Sequence, residues 1–457
     1  MRSTTAVLAI WLLAYIAPTS AMMTAPSPRD IDAIVKAISA QRIETRIRKL
    51  VGFGTRHSLS DTASETRGIG AARRYIANEL EECSRNTGGR LKVTLDEFVA
   101  APSTRVPTPT TMINIVATLG GTQTASRDRI YVVSGHYDSM PSDVMDASSD
   151  APGANDDASG TAAVIEMACV MANYAFDATI VFMAVAGEEQ GLVGSTHWAK
   201  HARDNGLNVA GMFTNDIIGS SRGADGKSRK NRVRLFAEGV PPAKEVSDEL
   251  RTRLTTGGEN DSASRELARF VKAQAERRVK GMQVDLIYRR DRYLRGGDHL
   301  PFLEQGYPAL RFTEASEDYR HQHQNVRTEN GVRYGDKIEF VDFSYVASVT
   351  KVNAAALAAL ALGPAAPTEA KIETIKLEND TTLLWAANAE SDLAGYRILW
   401  RDTTAPYWQH SRDVGNVTRY TLTGVSKDDF VFGVVAVDKD GNESVASYPT
   451  PFRPARP

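Results

Sequence analysis

Apolar residues recur three and four positions apart between Ile31 and Arg85, most regularly in IGAARRYIANELEECSR, as on an amphipathic helix. GIGAARR within this stretch lacks the third glycine and the preceding strand of a phosphate loop, so it predicts helix entry. The pattern then changes. LKVTLDEFV, MINIVATLG and RIYVVSGHY are strand-like, and TAAVIEMACVMANY predicts a helix. ATIVFMAVAGEE is a buried-strand pattern that ends on an acidic pair, and NVAGMFTNDIIG leads apolar residues into Asp216. VRLFAEG and PALRFTE add two strands, and VDFSYVASVTKVNAAALAALA closes the series with a long helix. Strands alternating with helices predict an α/β fold with a mixed, largely parallel central sheet flanked by helices. In such sheets functional residues collect beyond the carboxyl ends of strands. His136, Glu188, Glu189 and Asp216 all stand just after apolar runs, which predicts that they converge.

Past this region the pattern shortens. GPAAPTEA is a Pro/Ala-rich break, and residues 364–371 are expected to form a linker. TTLLWAA, YRILWRDT, TRYTLTGV and FVFGVVAVDKDGNES are short strands between turn residues, the signature of a small all-β sandwich over 372–457. SDLAGYRILWR and FVFGVVAVDKDGNES resemble fibronectin type III modules. Between Asp216 and Asp298, the basic stretch SRGADGKSRKNRVR and the charged helix DSASRELARFVKAQAERRVKG are expected to be solvated. No aromatic residue interleaves with the charge of the basic stretch, so nucleic acid is not an expected partner.

A chain of 457 residues exceeds one ordinary domain, and a formal net charge of -2 gives no reason to expect nucleic acid or an anionic membrane. The N-terminus adds a compartment. Arg2, the apolar run AVLAIWLLAYIA and the exit PTSA form the pattern of a signal peptide, with cleavage expected after Ala21. The run falls short of the ~20 residues of a membrane span. The mature chain is therefore expected to be secreted or periplasmic, without a membrane span after signal cleavage, with a first domain over 22–363. Cys83 and Cys169 lie among apolar neighbours in helix-like stretches and are expected to be two buried thiols. A pair is too few for a disulfide framework.

His136, Asp156, Glu188, Glu189, Asp216 and a histidine of YRHQHQN form a donor set of nitrogen and oxygen without thiolate, which suits zinc and related ions. The set exceeds the needs of one tetrahedral ion. Two ions sharing a carboxylate would use it, and one member of the Glu188–Glu189 pair would remain as a general base.

GHYDS, PGANDDASGTAAVIE, AVAGEEQGLVGS, TNDIIG and GGDHLPFLEQGYPALRFTE together, in this order, resemble the M28 zinc peptidases over roughly residues 30–362. The resemblance implies a zinc-exopeptidase-like fold with two Zn2+. It implies His136 and Asp216 on one ion, Glu189 and a late histidine on the other, and Asp156 between them. Glu188 resembles the family's general base, and Asp138 the acid that orients the first histidine. Asp298 and His299 match a DH motif near the site, with no ligand role implied. His323 is favoured over His321 because HQNV resembles the form in secreted bacterial relatives. The implied activity is removal of N-terminal residues from a peptide or protein substrate by a hydroxide shared between the ions. The implied alternatives are a single-zinc acyl transfer like that of glutaminyl cyclases, or a binding protein on the same fold. A phosphatase or nuclease would need a basic phosphate clamp, which the motifs lack. The C-terminal module is expected to bind a surface or polymer.

Overall fold

The computed structural model describes residues 30–242 and 247–452; the expected leader lies outside the described residues. Eight strands form the central sheet: β1 (Leu91–Ala100), β2 (Thr110–Leu119), β3 (Arg129–His136), β4 (Thr179–Val185), β5 (Asn208–Asn215), β6 (Arg232–Ala237), β7 (Gln283–Ile287) and β8 (Ala309–Glu314). Their order is β1-β2-β4-β3-β5-β8-β6-β7. The central four, β4, β3, β5 and β8, run parallel. β2 is antiparallel to β4, and β6 is antiparallel to β8. The sheet is therefore mixed with a parallel centre, as the alternating pattern predicts. The chain leaves β3 for β4 on one side and returns to β5 on the other. That reversal opens a crevice at the carboxyl end of β3.

Nine α-helices flank this sheet: α1 (Ile31–Ala37), α2 (Ala40–Val51), α3 (Gly68–Asn86), α4 (Ala158–Met171), α5 (Val193–Asp204), α6 (Asp248–Thr255), α7 (Ala263–Arg278), α8 (His299–Glu304) and α9 (Phe343–Leu362), counted among the described residues. Most of them pack through one large core. α2 contributes Ile43, Ile47 and Leu50 at helical spacing, while α4 and α9 are apolar on nearly every side. α9 is long and apolar enough to cross a membrane, but 89% of its apolar window is buried inside the protein, as in a core helix. The opposite face of the sheet carries a smaller core, where Val132, Val181 and Met212 meet Trp198 of α5 and Phe302 of α8.

Two expectations fail here. Cys83 and Cys169 are joined by a disulfide that ties α3 to α4; their apolar neighbours bury the bridge as readily as two thiols. The charged α7 is not solvated either. It buries Leu267, Ala268, Phe270, Val271 and Ala275, and Glu266 and Arg269 are buried with them. β7 was also hidden, because QVDLI is short and follows a run of charges.

The C-terminal region forms a four-stranded sheet and a three-stranded sheet. Leu383 and Leu422 of the first share a buried core with Tyr396, Ile398, Phe432 and Val434 of the second. This unit is held to the rest by buried charges. Arg401 pairs with Asp261 at 2.7 Å, and both side chains are at most 2% exposed. Arg129 pairs with Glu390 at 3.3 Å. Trp408 donates to Glu266, and Arg269 donates to the Pro406 carbonyl. Glu266 and Arg269, two of the charges that make α7 look solvated, face the sandwich. Breaking one partner of a buried ion pair leaves an uncompensated charge. Arg401→Met is therefore expected to cost about 3 kcal/mol of stability, seen as a lower denaturation midpoint.

Candidate metal centre

The site grows from the parallel centre of the sheet. β3 ends at His136, whose register partner on β4 is Val185, so Glu188 and Glu189 emerge beside it. Asp216 follows β5 directly, and the segment after β8 returns His323. Asp156 arrives on the loop before α4, where the Asp156–Asp157 peptide is cis. Gly160 explains how α4 comes this close: a Cβ there would lie 2.1 Å from the Asn215 carbonyl oxygen.

Three overlapping groups of donors result: His136 with Asp156 and Asp216, Asp156 with Glu189 and His323, and His136 with Glu188 and Glu189. Within each, the candidate ligand atoms lie within 4.8 Å of one another. Asp156 faces an imidazole with each oxygen. Its Oδ1 is 3.1 Å from His136 Nε2, and its Oδ2 is 2.8 Å from His323 Nε2. His323 Nε2 also lies 3.2 Å from Glu189 Oε1. His136 Nε2 is 4.0 Å from Glu188 Oε2. His321 is turned elsewhere and stacks on Phe340 with ring centroids 3.5 Å apart.

Asp138 supports this arrangement. Its Oδ1 is 3.4 Å from His136 Nδ1, and it accepts the backbone N–H groups of Glu188 and Glu189 and the Ser58 hydroxyl. Asp157 accepts the N–H groups of His136, Gly160 and Ile217. Asp336 accepts those of Asn155 and Asp156. Arg56, fully buried, donates to the carbonyls of Tyr137, Pro152 and Gly153. Behind Asp216 stands the buried Arg311, 3.0 Å from its Oδ1 and 3.2 Å from Asp291. Asp298 is buried nearby, and burial pushes its carboxyl up to about 7.

None of Asp157, Asp336, Arg56 and Arg311 was anticipated as a site residue. Arg311 carried a signal, being an arginine inside the apolar strand PALRFTE. Asp336 carried none.

The titration shifts follow from burial and from the charges the cluster's members place on one another. Burial, together with Asp216, Glu189 and Asp298, raises the Glu188 carboxyl well above the usual range. Burial likewise raises Glu189 and Asp157. Burial disfavours the charged imidazole of His323, but Glu189 and Asp156 push it up to about 11. Burial works against the Asp156 carboxylate too, yet His323 and His136 hold it well below the usual range. The cluster thus carries more negative charge than its own side chains neutralise. Neither ring nitrogen of His136 nor Glu189 Oε1 has a directed hydrogen bond among the described residues. Buried lone pairs that converge without donors fit a divalent cation, and this nitrogen and oxygen set suits zinc.

The cluster floors a cleft of about 530 Å3, lined also by Met140, Leu192 and Leu300. A wider cavity of about 740 Å3 lies between α7 and the C-terminal sandwich, and its lining includes no histidine.

With this geometry, the comparisons with known proteins agree. The sequence profile described as Peptidase family M28 matches residues 114–330. The "probable zinc metalloprotease" of Leptosphaeria maculans is 49% identical over 427 residues, covering 93% of this chain and 98% of that one. A protein of the same description from Pyricularia oryzae is 46% identical over 440 residues, covering 95% and 87%. Among solved structures, the Legionella pneumophila LapA aminopeptidase superposes with a TM-score of 0.50 at 19% identity, covering 73% of this chain and 74% of that one. An aminopeptidase from Aneurinibacillus gives a TM-score of 0.50 at 15% identity, covering 72% and 95%. At these identities the structures speak for the fold.

Asp157→Ala leaves three buried amides without their acceptor. The expected cost is about 3 kcal/mol, measured as a lower denaturation midpoint together with weaker zinc retention. Asp157→Asn keeps one acceptor oxygen and is expected to lose less.

Proposed function

The chain belongs to peptidase family M28 and is a zinc metallopeptidase, and on that premise we propose that it is an exported aminopeptidase that works with two zinc ions. The observation that carries the reading is Asp156, with one imidazole at each of its oxygens. That is the placement expected of a carboxylate shared by two ions. His136 and Asp216 would hold one zinc, Glu189 and His323 the other. Zinc there would polarise a scissile carbonyl and lower the pKa of water.

The chain's own residues do the rest. Glu188 lines the cleft beside the cluster without being needed as a ligand. Its raised pKa suits a group that takes the proton from the attacking water and returns it to the departing amine. Asp138 keeps His136 and the Glu188–Glu189 backbone in place. Arg311 fixes the Asp216 carboxylate. The aminopeptidase direction is supported by the names of the structural neighbours. Export is supported by the leader pattern and by the Cys83–Cys169 disulfide, a bond that persists in oxidising compartments. The C-terminal sandwich, with seven strands in two sheets over one core, supports the fibronectin type III-like reading. Its buried ion pairs favour a bracing role beside any tethering one.

Treatment with a chelator is expected to abolish peptide hydrolysis and zinc to restore it, with two equivalents of metal in the active protein. Full activity with a single ion would reject the two-zinc reading. Glu188→Gln is expected to retain its zinc and lose at least ~10²-fold in kcat on an unblocked peptide. A blocked N-terminus should prevent cleavage by the unmodified enzyme; hydrolysis of blocked peptides at equal rates would reject the aminopeptidase direction.

A further inference from the structure

The cleft holds charges that hydrolysis itself does not use. Arg105, Arg292 and Arg295 line the same cavity as Glu188 and His323. Three guanidinium groups, from Arg234, Arg292 and Arg295, share the single carboxylate of Glu317 at 2.6, 3.0 and 3.4 Å. Asp291 is shared as well, between Arg292 at 3.2 Å and Arg311 at 3.2 Å. The remaining anion in reach, Asp216, belongs to the zinc cluster. On this wall, four arginines therefore face two carboxylates that are free of the cluster. Arg105 adds a further cation. It donates to the Glu189 carbonyl, at 2.8 Å, and has no carboxylate partner among the described residues.

Arg295 is the member of the shared set with unspent capacity. Its side chain is 33% exposed, against 10% for Arg292. Its plane is steadied over the Tyr319 ring at 5.6 Å, and the amide of Gln322 lies 3.2 Å from its Nη2. It is also close to the chemistry. Two residues on, Gly297 passes so near Asp216 that a Cβ would lie 2.9 Å from Oδ2. Gln322 directly precedes His323. A cleft of about 530 Å3 is the size of a small-molecule site, so a ligand that reaches the cluster also reaches this wall.

We infer that Arg295, seated by Arg292, forms a subsite for a substrate carboxylate, either the C-terminal carboxylate of a short peptide or an acidic side chain just beyond the scissile bond. A guanidinium offers paired N–H donors that match a carboxylate in charge and in shape. Such a bond strengthens inside a partly desolvated cleft. The subsite would make the enzyme a finisher of small peptides, or of acidic ones, and would disfavour amidated ends. This inference rests on the peptidase reading above.

The test uses the zinc-loaded full-length protein and two matched pairs of substrates, each with X, the N-terminal residue it cleaves best. X-Gly against X-Gly-amide isolates the terminal carboxylate, and X-Glu-amide against X-Gln-amide isolates an acidic side chain. At least one pair is expected to show a preference of roughly tenfold or more for the charged member, expressed in KM and weakened by salt. The pair that shows it identifies the source of the carboxylate. Arg295→Gln is expected to bring that ratio close to one, and Arg295→Lys to keep part of it. A ratio of one in both pairs for the unmodified enzyme overturns the subsite. An unchanged ratio in a folded, zinc-loaded Arg295→Gln overturns the assignment to Arg295. Should that variant fail to fold, the two ratios of the unmodified enzyme and their salt dependence still decide the subsite. Failure to cleave any of the four substrates would instead count against the peptidase reading.

Discussion

The buried carboxylate of Asp157 is the constraint on which the site depends. Its two oxygens take the backbone amides of His136 at the end of β3, Gly160 in the first turn of α4 and Ile217 just past β5. Three segments that each deliver part of the donor set are thereby held to one side chain. Asp138 repeats the device, joining the His136 ring to the Glu188–Glu189 turn and, through Ser58, to the N-terminal helical region. A sheet supplies the parallel strand ends, but strand ends alone fray. Buried carboxylates that accept several amides convert them into a fixed frame for a cation, because each lost amide partner would cost of order 1–3 kcal/mol.

Much of this was legible in the sequence, and the reason is topological. In a parallel sheet each strand ends on the same side, so an acid or histidine just past an apolar run has a known address. His136, Glu188, Glu189 and Asp216 were found by that rule, and the structure brings them together. Asp156 could be placed only with its motif, since a loop position has no periodicity to announce it. The supporting residues escaped for different reasons. Asp157 looks like a helix cap, which it also is. The Arg56 guanidinium donates to carbonyls, and carbonyls leave no trace in side-chain identity. Between His321 and His323, both polar and two residues apart, only the three-dimensional path of the loop separates a ring against Phe340 from a ring against Asp156.

The expectation that fails most instructively is that a charged helix is a solvated one. In α7 the charged residues Glu266 and Arg269 face a second folded unit: its Trp408 donates to Glu266, and its Arg401 pairs with Asp261, which also accepts from Arg269. A hydrophobic surface announces its burial in composition, whereas a charged interface looks like solvent until its partner is known. The Pro/Ala-rich sequence before the sandwich carries no information about the faces on either side of it.

The disulfide between Cys83 and Cys169 has a further consequence for the order in which the protein is made. It closes a loop spanning 86 positions that contains β1 to β3 and, with them, His136, Asp138 and Asp156. Closing such a loop removes about 4.5 kcal/mol of freedom from the unfolded chain. Two members of the candidate donor set, His136 and Asp156, are thus enclosed by a covalent ring together with Asp138, while Glu189, Asp216 and His323 lie beyond it. Biogenesis in an oxidising compartment can secure the enclosed part before the later strands of the sheet arrive. A chain kept reduced lacks that constraint and must hold the two parts of the frame together by packing and hydrogen bonds alone.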